Sequence, residues 1–396
     1  MENKVEFKER KTSLGNAIVL SALMLVLGVI IGINWNSIIG SFGPYLGGEK
    51  IDEVNWSVLD EVYDKLATSF DGEISKEAVI DGAKKGLTDA LGDTYTKYMT
   101  AEEAEEFEDD LHGNVGAGIG VEMGLRDGYV RVLRTLPDNP AREAGILAGD
   151  ILYKVNGEEV YELSTEEITK KVRGEEGTEV EVTIVRDGEE KTFKMKREMI
   201  NNVSAYVEYD GHTAIVTVTR FDNDTGTMVQ NFAKEFKNKG VKKVILDLRG
   251  NGGGYVAAAQ DLLSLWIDSE PILVQKSRHF GDSKMNANAG KAILSDMKTV
   301  VLVNGTTASA SEIVAGALQD YEKATIVGET TFGKGVVQNL YDLSGGTKLK
   351  VTTASWYTPK ERSINKTGIE PDIKVERSYE DINTMKDPQL DKAKKL

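Results

Sequence analysis

The sequence predicts an α/β protein. A core of alternating strands and helices follows a smaller glycine-rich unit and a helical N-terminal region, the whole preceded by one apolar span. Three observations predict it. Strand-like apolar runs at 213–218, 243–248 and from 300 alternate with helical patterns at 227–238, 255–266 and from 309, the rhythm of an α/β layer structure. Forty glycines against seven prolines suit a fold with many turns. Residues 17–33 carry no charge, and at about 1.5 Å per residue such a run reaches roughly 25 Å, near the shortest length that crosses a bilayer.

The chain has 396 residues, room for two or three domains and a sizeable core. It has no cysteine, which excludes disulfides and thiol chemistry. A formal net charge of −16 argues against nucleic acid as a partner.

At the N-terminus, Lys4, Lys8, Arg10 and Lys11 flank the apolar span, so the positive-inside rule places that end in the cytoplasm. A cleaved signal peptide is the rival reading, but no small-residue cleavage site follows the run. The expectation is an uncleaved anchor with everything after about residue 35 outside. From 51 to 110, Val54, Val58, Leu59, Val62 and Leu66 recur at helical intervals, and a second helix starts near Ser75 with Ala78, Ile80, Ala83 and Leu87 on one face. The acidic run 101–110 reads as a solvated helix face.

Residues 113–197 contain Gly116-Ala-Gly-Ile-Gly-Val121, then Pro140-Ala-Arg-Glu-Ala-Gly145, Gly149-Asp150 and Val155-Asn-Gly157. The first is no phosphate loop, because Lys-Ser/Thr does not follow it. In sequence and order these strings resemble a PDZ domain. That resemblance implies capture of an extended peptide C-terminus, with Gly118, Ile119, Gly120 and Val121 as the carboxylate loop and the helix at 165–173 flanking the groove.

In the core, strand 243–248 runs into Arg249-Gly-Asn-Gly-Gly-Gly254 and a helix. A dinucleotide fingerprint fails there, since Tyr255 stands where the sixth-position glycine is needed. Further on, Val300–Val303 is β-branched and apolar, Asn304-Gly305 breaks it, and Ser309 stands at a helix start with Glu312 at capping-box spacing. Ser309 reads either as a helix cap or as a nucleophile beside the free N–H groups of a helix N-terminus, donors that suit an oxyanion. Lys334, between Gly333 and Gly335, follows twenty-five residues later. A buried lysine loses its proton readily and can serve a serine as general base. Neither His112, His212 nor His279 lies in a motif, and no pair has metal-ligand spacing. For Glu312 and Asp320 the expected roles are structural, a cap or a salt bridge.

The strings A-S-A-S-E-I-V-A-G-A-L-Q-D, G-E-T-T-F-G-K-G-V-V-Q, L-D-L-R-G-N-G-G-G and G-I-E-P-D-I together resemble the carboxy-terminal processing, or tail-specific, proteases. The likeness runs from about residue 50 to about 375 and is greatest to the membrane-anchored single-PDZ CtpA/CtpB type. It implies a crotonase- or Clp-peptidase-like core with Ser309 as nucleophile, Lys334 as base and Gln338 orienting the lysine. It further implies an oxyanion hole from the N–H of Ala310 with that of Gly253 or Gly254, between which the sequence does not choose. Gly252 replaces a proline common in the family. The expected layout is a cytoplasmic tail (1–15), transmembrane anchor (16–34), helical dimerisation region (35–112), PDZ domain (113–197), protease core (198–376) and a tail helping to dimerise (377–396). The expected activity is cleavage of extracytoplasmic proteins with accessible C-termini, gated by the PDZ domain, with neither metal nor cofactor. Spore signalling is a setting the resemblance alone implies. The alternative is a PDZ scaffold with an inactive core.

Overall fold

The computed structural model describes residues 54–126, 128–384 and 386–396. The anchor expected at 16–34 lies outside them, and no described helix is long and apolar enough to cross a membrane. The chain divides into two compact units between Lys76 and Glu77.

In the first unit, the helix Ser57–Ser69 carries Val58, Val62 and Leu66 on one stripe. All three stay exposed, as do Trp56, Leu59 and Phe70, and the helix buries no residue.

The second unit holds the α/β core and the inserted domain. A six-stranded sheet runs in the order Ala205–Asp210, Thr213–Val218, Lys243–Asp247, Lys298–Val303, Thr325–Gly328, Ile373–Lys374. Its first pair is antiparallel and the rest are parallel. Strands buried on both faces read as continuous apolar runs. Successive side chains alternate faces. Val244, Leu246, Val301 and Val303 pack toward helices Thr225–Phe236, Val256–Leu263 and Ala310–Asp320. Ile245, Val300, Leu302 and Val327 face a second cluster closed by Ala393 of the C-terminal helix Pro388–Lys395. The tail therefore spends its apolar residues on its own sheet, where Lys243 Nζ also donates to the Ala393 and Lys394 carbonyls.

A second sheet has the order Lys97–Met99, Lys348–Tyr357, Pro271–Lys276, Ser283–Asn286, with Val336–Asp342 paired to Lys348–Tyr357 as well. The hairpin at 271–286, whose Ile272, Leu273 and Val274 are buried, and the short strand at 97–99 were not among the expected strands. The helices expected at 227–238 and 255–266 run Thr225–Phe236 and Val256–Leu263, since helix ends are set by local geometry that composition does not encode.

The inserted domain is a second sheet-and-helix body with its own core of Val132, Leu152, Ile168 and Val182. Its entry and exit strands, Ala117–Gly118 and Glu198–Met199, pair with each other. Asn139 ties it to the exit segment, accepting from Asn201 N at 3.1 Å and donating to Asn201 O at 3.1 Å.

Candidate active site

Ser309 sits between the buried strand Lys298–Val303 and helix Ala310–Asp320. Its φ of 56° and ψ of −118° force a sharp turn that few side-chain-bearing residues adopt. The capping-box spacing is realised: Glu312 accepts the Ser309 N–H at 2.8 Å across the first turn of the helix.

Glu312 does more than cap. It is fully buried and also accepts from Thr331 Oγ1 at 2.6 Å, Gly333 N at 2.7 Å and Lys334 N at 2.9 Å. One carboxylate thus fastens the serine turn and the lysine loop to each other. The loop closes from the other side through Trp356, whose Nε1 donates to Lys334 O at 2.9 Å. Both glycines beside the lysine are needed for close approach. A Cβ on Gly333 would lie 2.9 Å from Gly368 N, and one on Gly335 would lie 2.7 Å from Asn365 Cβ. Asp320 pairs with Arg362 and accepts Lys360 N at 2.7 Å, the structural role expected of it.

Burial holds the Lys334 amine below its ordinary pKa, Lys350 pushes it further down by charge, and Glu312 opposes them. The amine lies over the Tyr95 ring, 5.2 Å from its centroid. No hydrogen bond among the described residues joins Lys334 Nζ to Ser309 Oγ or to Gln338. Gln338 donates instead to the Tyr95 carbonyl. Strand Val336–Asp342 carries it against a segment far away in sequence, which nothing near Gln338 signals.

The glycine loop after strand Lys243–Asp247 is bolted to the serine turn by Asn251, itself fully buried. Its backbone carbonyl accepts Ala308 N and Ser311 Oγ, each at 3.0 Å, and its side chain donates to Val218 O and accepts Gly253 N at 2.8 Å. The two candidate glycines therefore differ. Gly253 N is engaged, whereas Gly254 N and Ala310 N make no hydrogen bond within the described residues. Gly253 serves by lacking a side chain, because a Cβ there would stand 2.8 Å from Ser309 Cβ and 3.0 Å from Ala310 N. A Cβ on Gly252, where proline is common in the family, would meet open space.

The inserted domain carries a cavity of about 340 Å³. Gly118, Ile119, Gly120 and Val121 line one side, Thr165, Thr169 and Arg173 another, and Thr219, Arg220 and Gly250 of the core complete it. Gly250 belongs to the loop that Asn251 bolts to the serine turn. Sequence reasoning missed Asn251, Thr331 and Tyr95. Asn251 lay inside a string read for its glycines. Tyr95 had no local signal at all.

Residues 212–375 match the model of peptidase family S41, and residues 117–196 match that of the PDZ domain. A protein of Staphylococcus saprophyticus named "Probable CtpA-like serine protease" is 34% identical over 371 residues, 93% of this chain and 73% of that one. A Staphylococcus aureus protein of the same name is 34% identical over 341 residues, 86% of this chain and 68% of its own. Among solved structures, the photosystem II D1 C-terminal processing protease superposes with a TM-score of 0.53 at 28% identity, covering 82% of this chain and 87% of that one. Fold and family thus define a serine peptidase with a PDZ domain. Within that class, the chain belongs to the CtpA-like serine proteases of family S41.

Proposed function

We propose that the chain is a membrane-anchored endopeptidase working through a Ser309–Lys334 dyad on extracytoplasmic proteins with accessible C-termini. The observation that carries this reading is the buried Glu312 carboxylate, which binds the N–H groups of both dyad residues. In the reaction, neutral Lys334 takes the Ser309 proton and the alkoxide attacks the peptide carbonyl. The free N–H groups of Ala310 and Gly254 receive the oxyanion. Protonated Lys334 then gives its proton to the leaving amine, and water hydrolyses the acyl-enzyme. The amine and the hydroxyl draw together once substrate is bound, a tightening common to catalytic hydrogen bonds. Ser309→Ala and Lys334→Ala should each remove several orders of magnitude in turnover of an unfolded protein substrate while leaving the circular dichroism unchanged. Substantial activity in Lys334→Ala would refute the dyad.

A peptide terminus in the PDZ cavity would touch Gly250 and so reach the loop beside Ser309. That contact supports gating by the PDZ domain. The exposed apolar stripe of helix Ser57–Ser69 supports a homodimer, since a second copy would cover it. A regulatory membrane protein in spore signalling is the substrate that the family resemblance suggests.

A further inference from the structure

Tyr95 lies outside both stretches that match the family models, yet it touches two of the three residues assigned to catalysis. Its ring sits under Lys334 Nζ and its backbone carbonyl accepts from Gln338 Nε2. We propose that Tyr95 is a positioning residue of the active site, its ring carrying the Lys334 ammonium and its carbonyl setting the rotation of the Gln338 amide. The proposal rests on Lys334 being the base.

Each contact has a definite chemical consequence. A carboxamide has one oxygen acceptor and one nitrogen donor. With Nε2 given to the Tyr95 carbonyl, the Gln338 oxygen is turned to the other side, where an ammonium can donate to it. The ring acts through its negative face, which attracts a cation and not a neutral amine. It therefore favours the form of Lys334 that appears when the proton leaves Ser309.

The segment is built to hold this position. Asp93 accepts Tyr95 N at 3.2 Å through one oxygen, and Thr96 N at 3.2 Å and Thr96 Oγ1 at 2.6 Å through the other. Thr96 Oγ1 in turn accepts Thr352 N at 3.1 Å from the strand paired with that of Gln338. Lys97 and Met99 continue the attachment by pairing with Lys350 and Lys348.

Among the described residues, Lys350 and Glu312 act on the Lys334 amine by charge, and the Tyr95 ring lies against it. Lys350 of strand Lys348–Tyr357 lowers its pKa, as burial does, and Glu312 of helix Ala310–Asp320 raises it. Tyr95 belongs to the segment before Lys97. Lys350 faces Lys97, which adds to the positive side. Against burial and Lys350, the ring is the contact that favours the ammonium beside Glu312. Removing it lowers the pKa of Lys334 and moves the ascending limb of the rate toward acid.

The test is the pH–rate profile of the full chain carrying Tyr95→Phe, Tyr95→Leu or Tyr95→Trp. Phenylalanine keeps ring and carbonyl, so midpoint and plateau should match the parent. Leucine should shift the midpoint down by about half to one pH unit, and tryptophan, the best cation binder, should shift it up. Midpoints that do not follow the order Leu, then Tyr and Phe, then Trp overturn the proposal, as does a phenylalanine variant impaired like leucine. A merely structural role would cut yield or plateau and leave the midpoints together. If the leucine variant does not fold, the phenylalanine and tryptophan pair decides. The same series in a Ser309→Ala background is read by pH-dependent acylation of Lys334, followed by peptide mass mapping. Labelling midpoints in the expected order without any matching activity profile would keep Tyr95's effect on the amine and sink the dyad. Labelling midpoints that coincide would sink the proposal itself.

Discussion

Glu312 shows how one residue can hold an active site without reacting in it. Its carboxylate accepts four hydrogen bonds, three of them from backbone N–H groups of Ser309, Gly333 and Lys334. Glu312→Ala would leave these donors buried and unpaired, a loss of about 3–5 kcal/mol in unfolding free energy. Denaturant titration of the variant checks this, and a change below about 1 kcal/mol would mean water replaces the carboxylate. Lys334 sets the pH dependence. Its folded pKa lies below the ordinary value of about 10.4 because burial, and then Lys350, disfavour the ammonium. The base works only when neutral, so activity should rise with pH to a midpoint under that value and stay high above it. Lys334→Arg should be inactive at every pH, because guanidinium keeps its proton. A profile flat from about pH 5 to 10 would exclude lysine as the base.

At the scale of elements, the decisive piece is the loop 249–254 between strand Lys243–Asp247 and helix Val256–Leu263. Phe221 N donates to Gly253 O at 2.9 Å and Tyr255 N to Phe221 O at 2.8 Å, which fixes the loop against the end of the neighbouring strand. Gly253 has φ +106° and no room for a side chain beside Ser309. Gly253→Ala should thus cost at least tenfold in kcat through a displaced serine turn. Gly252→Ala, one residue earlier and in open space, should leave kcat within about twofold. Steady-state kinetics of the two variants side by side is the measurement, and equal effects would show that the loop adapts as a whole.

For the whole molecule, the anchor and the dimer can be read in one experiment. The basic flank and uncharged run at 17–33 predict a chain held in the membrane with its bulk outside. The exposed Val58, Val62 and Leu66 stripe predicts a partner copy. A membrane-impermeant cross-linker on wall-stripped cells should trap a full-length dimer in the membrane fraction, and Val62→Asp with Leu66→Asp should reduce its yield several-fold. A shortened chain free in the medium would overturn the anchor. An unchanged dimer yield in the double variant would remove this helix from the interface.

The sequence by itself determined what is local. The β-branched run into Asn304-Gly305 is a buried strand ending in a turn, and Ser309 with Glu312 marks a helix start. Gly333 and Gly335 mark close backbone approach, and the ordered strings carried the family. Each of these rests on interactions within a few residues or on a backbone conformation that only glycine allows cheaply. Only the tertiary structure decided what depends on distant partners. It turned Glu312 from a cap into the tie between serine and lysine. It occupied Gly253 N through Asn251 and left Gly254 N open. It seated Lys334 over Tyr95 and turned Gln338 to the Tyr95 carbonyl, across 243 positions of sequence. Such contacts form when a short strand joins a sheet edge, and pairing of that kind is selected by the surface already folded, not by the residues beside it.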